Sequence, residues 1–186
     1  MFKPSLLTIV LLASSFIASA HNFTIMQPVP PVYVSDKGEL LLNQGAFSYQ
    51  RWQSAALAGK VRVIQHIAGR TAAKEMNAPL VDAIKAANLP AKYYQTTTIV
   101  NSDDAIIGTG AFVRSSIKES KESFPWSQFV VDDQGVVRKA WALKEASSAI
   151  VVLDAAGKVR FAREGALTAE EVQQVIALLH QLIPAA

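Results

Sequence analysis

Gly69, Arg70, Thr71 and Lys74 stand where an apolar run gives way to a helix-forming one. They lie in GKVRVIQHIAGRTAAKEMNAP, residues 59–79, between Val61, Val63, Ile64 and Ile67 and the alanine-rich segment 72–88. A β-rich run followed directly by strong helix formers reads as a strand passing into a helix. Thr71 is then expected as the N-cap, with the peptide N–H groups of Ala72, Ala73 and Lys74 unpaired above the end of the strand. A helix start of this kind attracts anions, and an adjacent guanidinium adds a planar fork of donors that suits a carboxylate or phosphate. The expected chemistry is anion binding; the competing use of Arg70 is an internal pair with a nearby carboxylate.

The acids for that pair are Asp103 and Asp104, in Asn101-Ser102-Asp103-Asp104 at the end of a second β-rich run, 94–100. A strand, helix, strand order implies a right-handed parallel crossover, which brings these acids beside Gly69-Arg70-Thr71. General acid and base chemistry would need two carboxylates with separated pKa values in a dry cleft. Neighbours on an irregular loop usually point apart, so an Asx turn or a solvated loop is the favoured reading, and metal binding by the two acids has the same weakness. A mature N-terminal His21 could chelate copper through its amine and ring but needs a second histidine, and His66 and His180 have no metal-motif spacing to each other, so all three read as structural. Thr71 as a nucleophile has no base except Lys74, which would have to lose its proton in a dry pocket. The chain has no cysteine, which excludes thiol catalysis, disulfides and thiolate metal sites. No cofactor is implied.

These residues need elements to hold them. Residues 1–20 have the form of a signal peptide: Lys3, an apolar run over 6–17, and Ala18-Ser19-Ala20 as a cleavage site. That run is too short to span a bilayer. The mature chain is expected to start at His21 as an exported, soluble periplasmic protein, with no membrane association after cleavage. Residues 21–186 then form one domain, long enough to bury about 70% of its unfolded surface. The formal charge of +3 falls by one with Lys3, acids and bases are mixed along the chain, and nothing argues for nucleic acid.

Val32 and Val34, a turn at Ser35-Asp36-Lys37-Gly38, and 39–42 predict an N-terminal hairpin. Phe47, Tyr49 and Trp52 read as packing residues beneath it. Leu80, Ile84 and Ala87 continue a buried helical stripe that Pro79 should kink without ending, and Asn88-Leu89-Pro90 stops it. Gly108-Thr109-Gly110 reads as loop, 112–121 as a helix, 129–131 as a short strand, and 136–143 as a further short helix. A hairpin over 149–162 leads into a terminal helix, for which Thr168 and Glu171 form a capping box and Leu167 staples onto Val172.

The stretch 59–79 resembles thioredoxin-like proteins of the TlpA and peroxiredoxin kind, in which a strand ends in A-x-x-C-x-x-C-x-x-x-x-P. With Ala68 and Pro79 in register, Thr71 and Lys74 occupy the two cysteine positions. The family's cis-proline before the late hairpin is replaced by Ser148, with Ser147 before it. Taken whole, through GKVRVIQHIAGRTAAKE, YQTTTIVNSDDAI, FVRSS, PWSQFVVD and SSAIVVLDAAGKVRFAREGALTAEEVQQV, the chain is similar to the YtfJ family of bacterial periplasmic proteins. The resemblance implies a thioredoxin-like fold and a periplasmic location, and it brings no catalytic residues to transfer.

The expected fold is therefore α/β, a single thioredoxin-like domain with an N-terminal β-hairpin extension. The expected function is non-catalytic: binding of a periplasmic protein, peptide or small anion around Gly69, Arg70, Thr71, Lys74, Asp103, Asp104 and Ser148. The alternative is an enzyme of non-thiol chemistry centred on Arg70, Asp103 and Asp104.

Overall fold

A computed structural model describes residues 21–184; residues 1–20, read above as a signal peptide, lie outside the described residues. Among the described residues seven strands form one sheet: β1 (Tyr33–Asn43), β2 (Ala46–Gln53), β3 (Val61–Ala68), β4 (Tyr94–Asn101), β5 (Gln128–Asp132), β6 (Ser148–Leu153) and β7 (Val159–Glu164). Their order across the sheet is β2-β1-β5-β4-β3-β6-β7. The three central strands β3, β4 and β5 are parallel, while β1 and β6 join them antiparallel. The described residues also form five α-helices: α1 (Thr71–Glu75), α2 (Ala78–Ala87), α3 (Gly110–Ser123), α4 (Val136–Trp141) and α5 (Ala169–Leu182).

All eight residues of β3 are buried because helices cover both faces of the central sheet. Val61 and Val63 point to one face, where they pack with Leu80 of α2 and Val175 and Leu179 of α5. Ile64 points to the other, into a cluster with Val34, Trp52, Val137 and Trp141. α3 lies on the first face, its Ile117 packed with Leu40, Val100, Phe129 and Val131. Arg62 is a charge buried within this framework. It is only 6% exposed and donates to the Leu57 carbonyl at 2.7 Å, Gln95 Oε1 at 2.6 Å and Thr97 Oγ1 at 3.0 Å. Burial pushes its pKa down, against the pull of Glu39.

The N-terminal hairpin exists, but its turn is not at residues 35–38. β1 runs on to Asn43, the chain reverses at Gln44 and Gly45, and Asn43 faces Ala46. Gln44 and Gly45 have φ of 50° and 80°, the two positive values that a two-residue type I′ turn requires. Residues 35–38 instead form a bulge inside β1, bulking out opposite Arg51 between the Val34–Trp52 and Glu39–Gln50 pairs. Trp52 is buried and Phe47 half-buried, while Tyr49 stays exposed with Lys37 Nζ 5.3 Å from its ring.

Two helix details also differ from expectation. Arg70, not Thr71, is the N-cap of α1, and no side chain bonds the cap; Thr71 is the first helical residue. At Pro79 the helix breaks rather than kinks, with α1 ending at Glu75 and α2 restarting at Ala78. The proline has no N–H and its ring crowds the carbonyl of Glu75, so the turn across Met76 and Asn77 cannot stay regular. At α5 the capping box is complete, Thr168 Oγ1 accepting from the Glu171 N–H at 3.2 Å and Glu171 Oε2 from the Thr168 N–H at 2.9 Å.

Candidate functional site

β3 hands the chain to α1 through Gly69 and Arg70. The Gly69 N–H donates to the Asn101 carbonyl at 2.8 Å, and a Cβ on Gly69 would come within 3.1 Å of the Ala105 Cβ and of that carbonyl. A side chain here would push the exits of β3 and β4 apart by a few tenths of an ångström, so glycine favours the close approach. The approach fixes Arg70 against Asp104: Nη2 donates to Oδ1 at 2.8 Å, and Nε donates to Oδ1 at 3.1 Å and to the Asp104 carbonyl at 2.9 Å. The other carboxylate oxygen of Asp104 accepts the Ala146 N–H at 2.5 Å.

The candidate residues therefore separate. Asp104 is spent on Arg70 and Ala146, while Asp103 is turned toward Gly135, where a Cβ would meet its Oδ2 at 3.0 Å. The two neighbouring acids point apart and form no acid–base pair. Ser148 is buried and donates to Asn77 Oδ1 at 2.7 Å, and Asn77 Nδ2 donates to Gln65 Oε1 at 3.2 Å. That chain ties the break between α1 and α2 to the sheet. Among the described residues there is no cis peptide bond, and no three His, Asp or Glu side chains are grouped to hold a metal.

Gly69, Arg70, Thr71 and Lys74 stay together, and they line one end of a groove of about 1220 Å³. Its floor is the α2-side face of β4, Tyr94, Thr96, Thr98 and Val100; its walls are α2, with Val81 and Ile84, and α3, with Val113 and Ser116. Two lysines cross between the walls: Lys74 Nζ reaches Ser116 Oγ at 3.4 Å, and Lys85 Nζ sits 5.3 Å from the Phe124 ring centroid. Ile106, Phe112 and Trp126 line its margins while staying 55%, 68% and 61% exposed. Sequence reasoning missed this groove. Its signal was a set of large apolar residues, Ile106, Ile107, Phe112 and Trp126, that fit no buried stripe.

On the opposite face, at the same end of the sheet, polar groups are enclosed. Asp132 is fully buried and accepts the N–H groups of Gln134, Val136 and Val137 at 3.3, 3.1 and 2.8 Å, capping α4. Burial raises its pKa, and those three N–H groups oppose the rise. His66 Nε2 and both amide atoms of Asn101 are buried without a hydrogen-bond partner. Burial, assisted by Arg138 and opposed by Asp104, lowers the His66 pKa to about 4.

A mixed sheet with a strand–helix–strand unit at its centre and a terminal hairpin and helix is the thioredoxin-like architecture, and solved structures agree. A thiol-disulfide isomerase from Corynebacterium glutamicum superposes with a TM-score of 0.56 at 17% identity, covering 89% of this chain and 99% of that one. The thioredoxin domain of a thiol-disulfide oxidoreductase from Bacteroides vulgatus gives 0.54 at 11%, covering 84% and 97%. Within that class the chain matches the family described as "Bacterial protein of unknown function (YtfJ_HI0045)" over residues 23–182, and it belongs to that family. It is 58% identical to the Escherichia coli K12 protein called "Uncharacterized protein YtfJ", over 96% of this chain and 97% of that protein. It is also 50% identical to an uncharacterised protein of Haemophilus influenzae Rd, over 88% and 89%. With no cysteine, the chain has no thiolate for disulfide exchange, whatever its fold neighbours do.

Proposed function

We propose that the chain is exported to the periplasm and works there as a cysteine-free, non-catalytic binding module whose site is the groove between α2 and α3. The observation that carries this is an open apolar groove of about 1220 Å³ whose margin residues, Ile106, Phe112 and Trp126, remain more than half exposed. Large exposed apolar patches on a soluble domain mark places where something binds. The helix start forms one end of this site. As a site for a small anion alone it draws less support, because α1 is five residues long and the Arg70 fork is turned to Asp104. An enzyme centred on Arg70, Asp103 and Asp104 is likewise less favoured, since the two acids diverge.

Export is supported by the charged, apolar and Ala18-Ser19-Ala20 pattern, and mass spectrometry of the protein from its native host should find a chain starting at His21. A retained Met1 in the soluble fraction would overturn that part. The groove is tested by NMR titration with anilinonaphthalene sulfonate, a fluorescent apolar probe. Amide shifts are expected along 80–89, 94–100 and 112–124. Shifts elsewhere, or none, would remove the groove as the site.

A further inference from the structure

Resting on the groove as a binding site, we propose that its ligand is a long-chain anionic amphiphile, a hydrocarbon tail lying along β4 with its acidic head at Lys74. Shape, hydrogen bonding and charge each narrow the choice.

The floor runs along β4 from Tyr94 to Val100. At the usual rise per residue that is about 20 Å. A floor one strand wide, flanked by α2 and α3, suits a slender extended chain.

An extended peptide is the other slender candidate, and the floor does not serve it. β4 is hydrogen-bonded to β3 along its whole length and to β5 from Thr97 onward, so over that part a chain in the groove lies on the sheet face and cannot add to a ladder. The floor's polar groups are largely committed to each other: the Tyr94 hydroxyl lies 2.9 Å from Thr96 Oγ1, and Gln65 holds Asn77. A peptide would leave main-chain N–H and C=O groups without partners in an apolar slot, at a cost that a hydrocarbon chain does not incur.

Charge places the head. Lys74 is exposed, takes part in no ion pair among the described residues, and reaches across the groove to Ser116 Oγ. Arg70 and Glu75 line the same end, but the Arg70 fork is held by Asp104, so the head's contact is Lys74. At the groove's α2–α3 wall Lys85 is already paired with Asp82 at 3.6 Å, so it offers less to a second anion. The loop 105–109 stands beside the Arg70 end, since Ala105 abuts Gly69, and it exposes Ile106 and the fully uncovered Ile107, with Phe112 following. An apolar lip next to a free ammonium is what an amphiphile entering tail-first, head-last would meet.

Trp126 gives the readout, because it is 61% exposed at the groove margin while Trp52 and Trp141 are buried at 2% and 0%. Oleate, added below its micellar concentration to the purified protein, is expected to produce a saturable blue shift of Trp126 emission. The shift should be absent in Trp126→Phe while calorimetric binding persists. Lys74→Glu should weaken oleate at least ten-fold and leave oleyl alcohol, which has the same tail and no charge, unchanged. The thermal midpoint of that variant should match the wild type, showing that the fold is intact. A non-saturable oleate response, or equal oleate binding by Lys74→Glu, overturns the proposal. If an uncharged apolar peptide saturates the Trp126 signal and oleate does not, the amphiphile is wrong and the groove stands; if neither does, the groove falls too.

Discussion

Arg70 and Asp104 lock the exits of β3 and β4 together. The guanidinium makes two contacts to Oδ1 and one to the Asp104 carbonyl, and the remaining carboxylate oxygen holds the Ala146 N–H of the loop before β6. Three chain segments are thus fastened at one carboxylate that is 9% exposed, although Arg70 itself is 35% exposed.

Arg70→Ala leaves that carboxylate with a single N–H. The expected loss lies between those of exposed and buried pairs, about 1–3 kcal/mol. For a domain of this size that is a fall in Tm of roughly 3–10 °C. Differential scanning calorimetry measures it, and a midpoint within a degree of wild type would show that Asp104 is held without Arg70.

His66 gives stability a pH dependence of definite sign. Its folded pKa of about 4 lies below the ordinary value of about 6.5, so between these values the unfolded chain binds the extra proton. Stability is therefore present above about pH 6.5 and is lost as pH falls toward 4, by on the order of 3 kcal/mol at 1.36 kcal/mol per pKa unit. Arg138 reinforces the depression and Asp104 opposes it. Asp132, whose folded pKa is raised, acts in the opposite sense: its contribution is present below the ordinary carboxylate pKa and is lost as pH rises through the raised one. The measurement is therefore a difference: urea midpoints of wild type and His66→Leu from pH 4 to 7. The variant should lose most of the acid-side decline. Parallel curves would place its origin elsewhere.

The order of elements was legible because it is written in short-range patterns. β3 is an apolar run closed by glycine, and the α5 capping box needs only Thr168 and Glu171 three residues apart. The pairing of Arg70 with one of two acids was legible too, but the choice of Asp104 depends on how the 102–104 turn leaves β4. The groove was not legible at all. Ile84 has the spacing of a core residue beside Leu80, yet it is half-exposed because α3 does not close over β4, and no local period records the distance between two helices. Thr71 misled for another reason: threonine is a frequent N-cap, and here the backbone turns helical one residue early, at Thr71 itself.

The same helix start supports a test by cross-linking. Thr71 and Lys74 are the first and fourth residues of α1, both exposed, so replacing both with cysteine should cost little stability. Residues three apart on a helix have Cα atoms about 5 Å apart, inside the roughly 4.4–6.8 Å that a disulfide needs, and closing the bond draws their Cβ atoms in to about 3.5–4.5 Å. Thr71→Cys with Lys74→Cys is expected to form an intramolecular disulfide on mild oxidation, seen as the loss of both titratable thiols in a monomer. Two persistent thiols would mean that the first turn of α1 holds the pair apart.

Gly38 and Gly45 distinguish the bulge from the turn. Both have positive φ, 76° and 80°, so an alanine at either site pays for the left-handed backbone, about 1–2 kcal/mol. Their surroundings differ. At Gly45 a Cβ meets nothing within 4 Å, whereas at Gly38 it would lie 2.1 Å from the Gln50 carbonyl oxygen and 3.0 Å from the Trp52 nitrogen. Those atoms belong to the backbone of β2 and cannot rotate away, so β1 and β2 would have to separate where Gly38 also faces Val131 of β5. Gly45→Ala is therefore expected to lower stability by about 1 kcal/mol. Gly38→Ala should cost several times as much, by forcing the strands apart as overpacking does. Chemical denaturation of the two variants side by side checks the order. Equal losses, or a larger loss at Gly45, would contradict a bulge at residues 35–38 and return the turn to Ser35-Asp36-Lys37-Gly38.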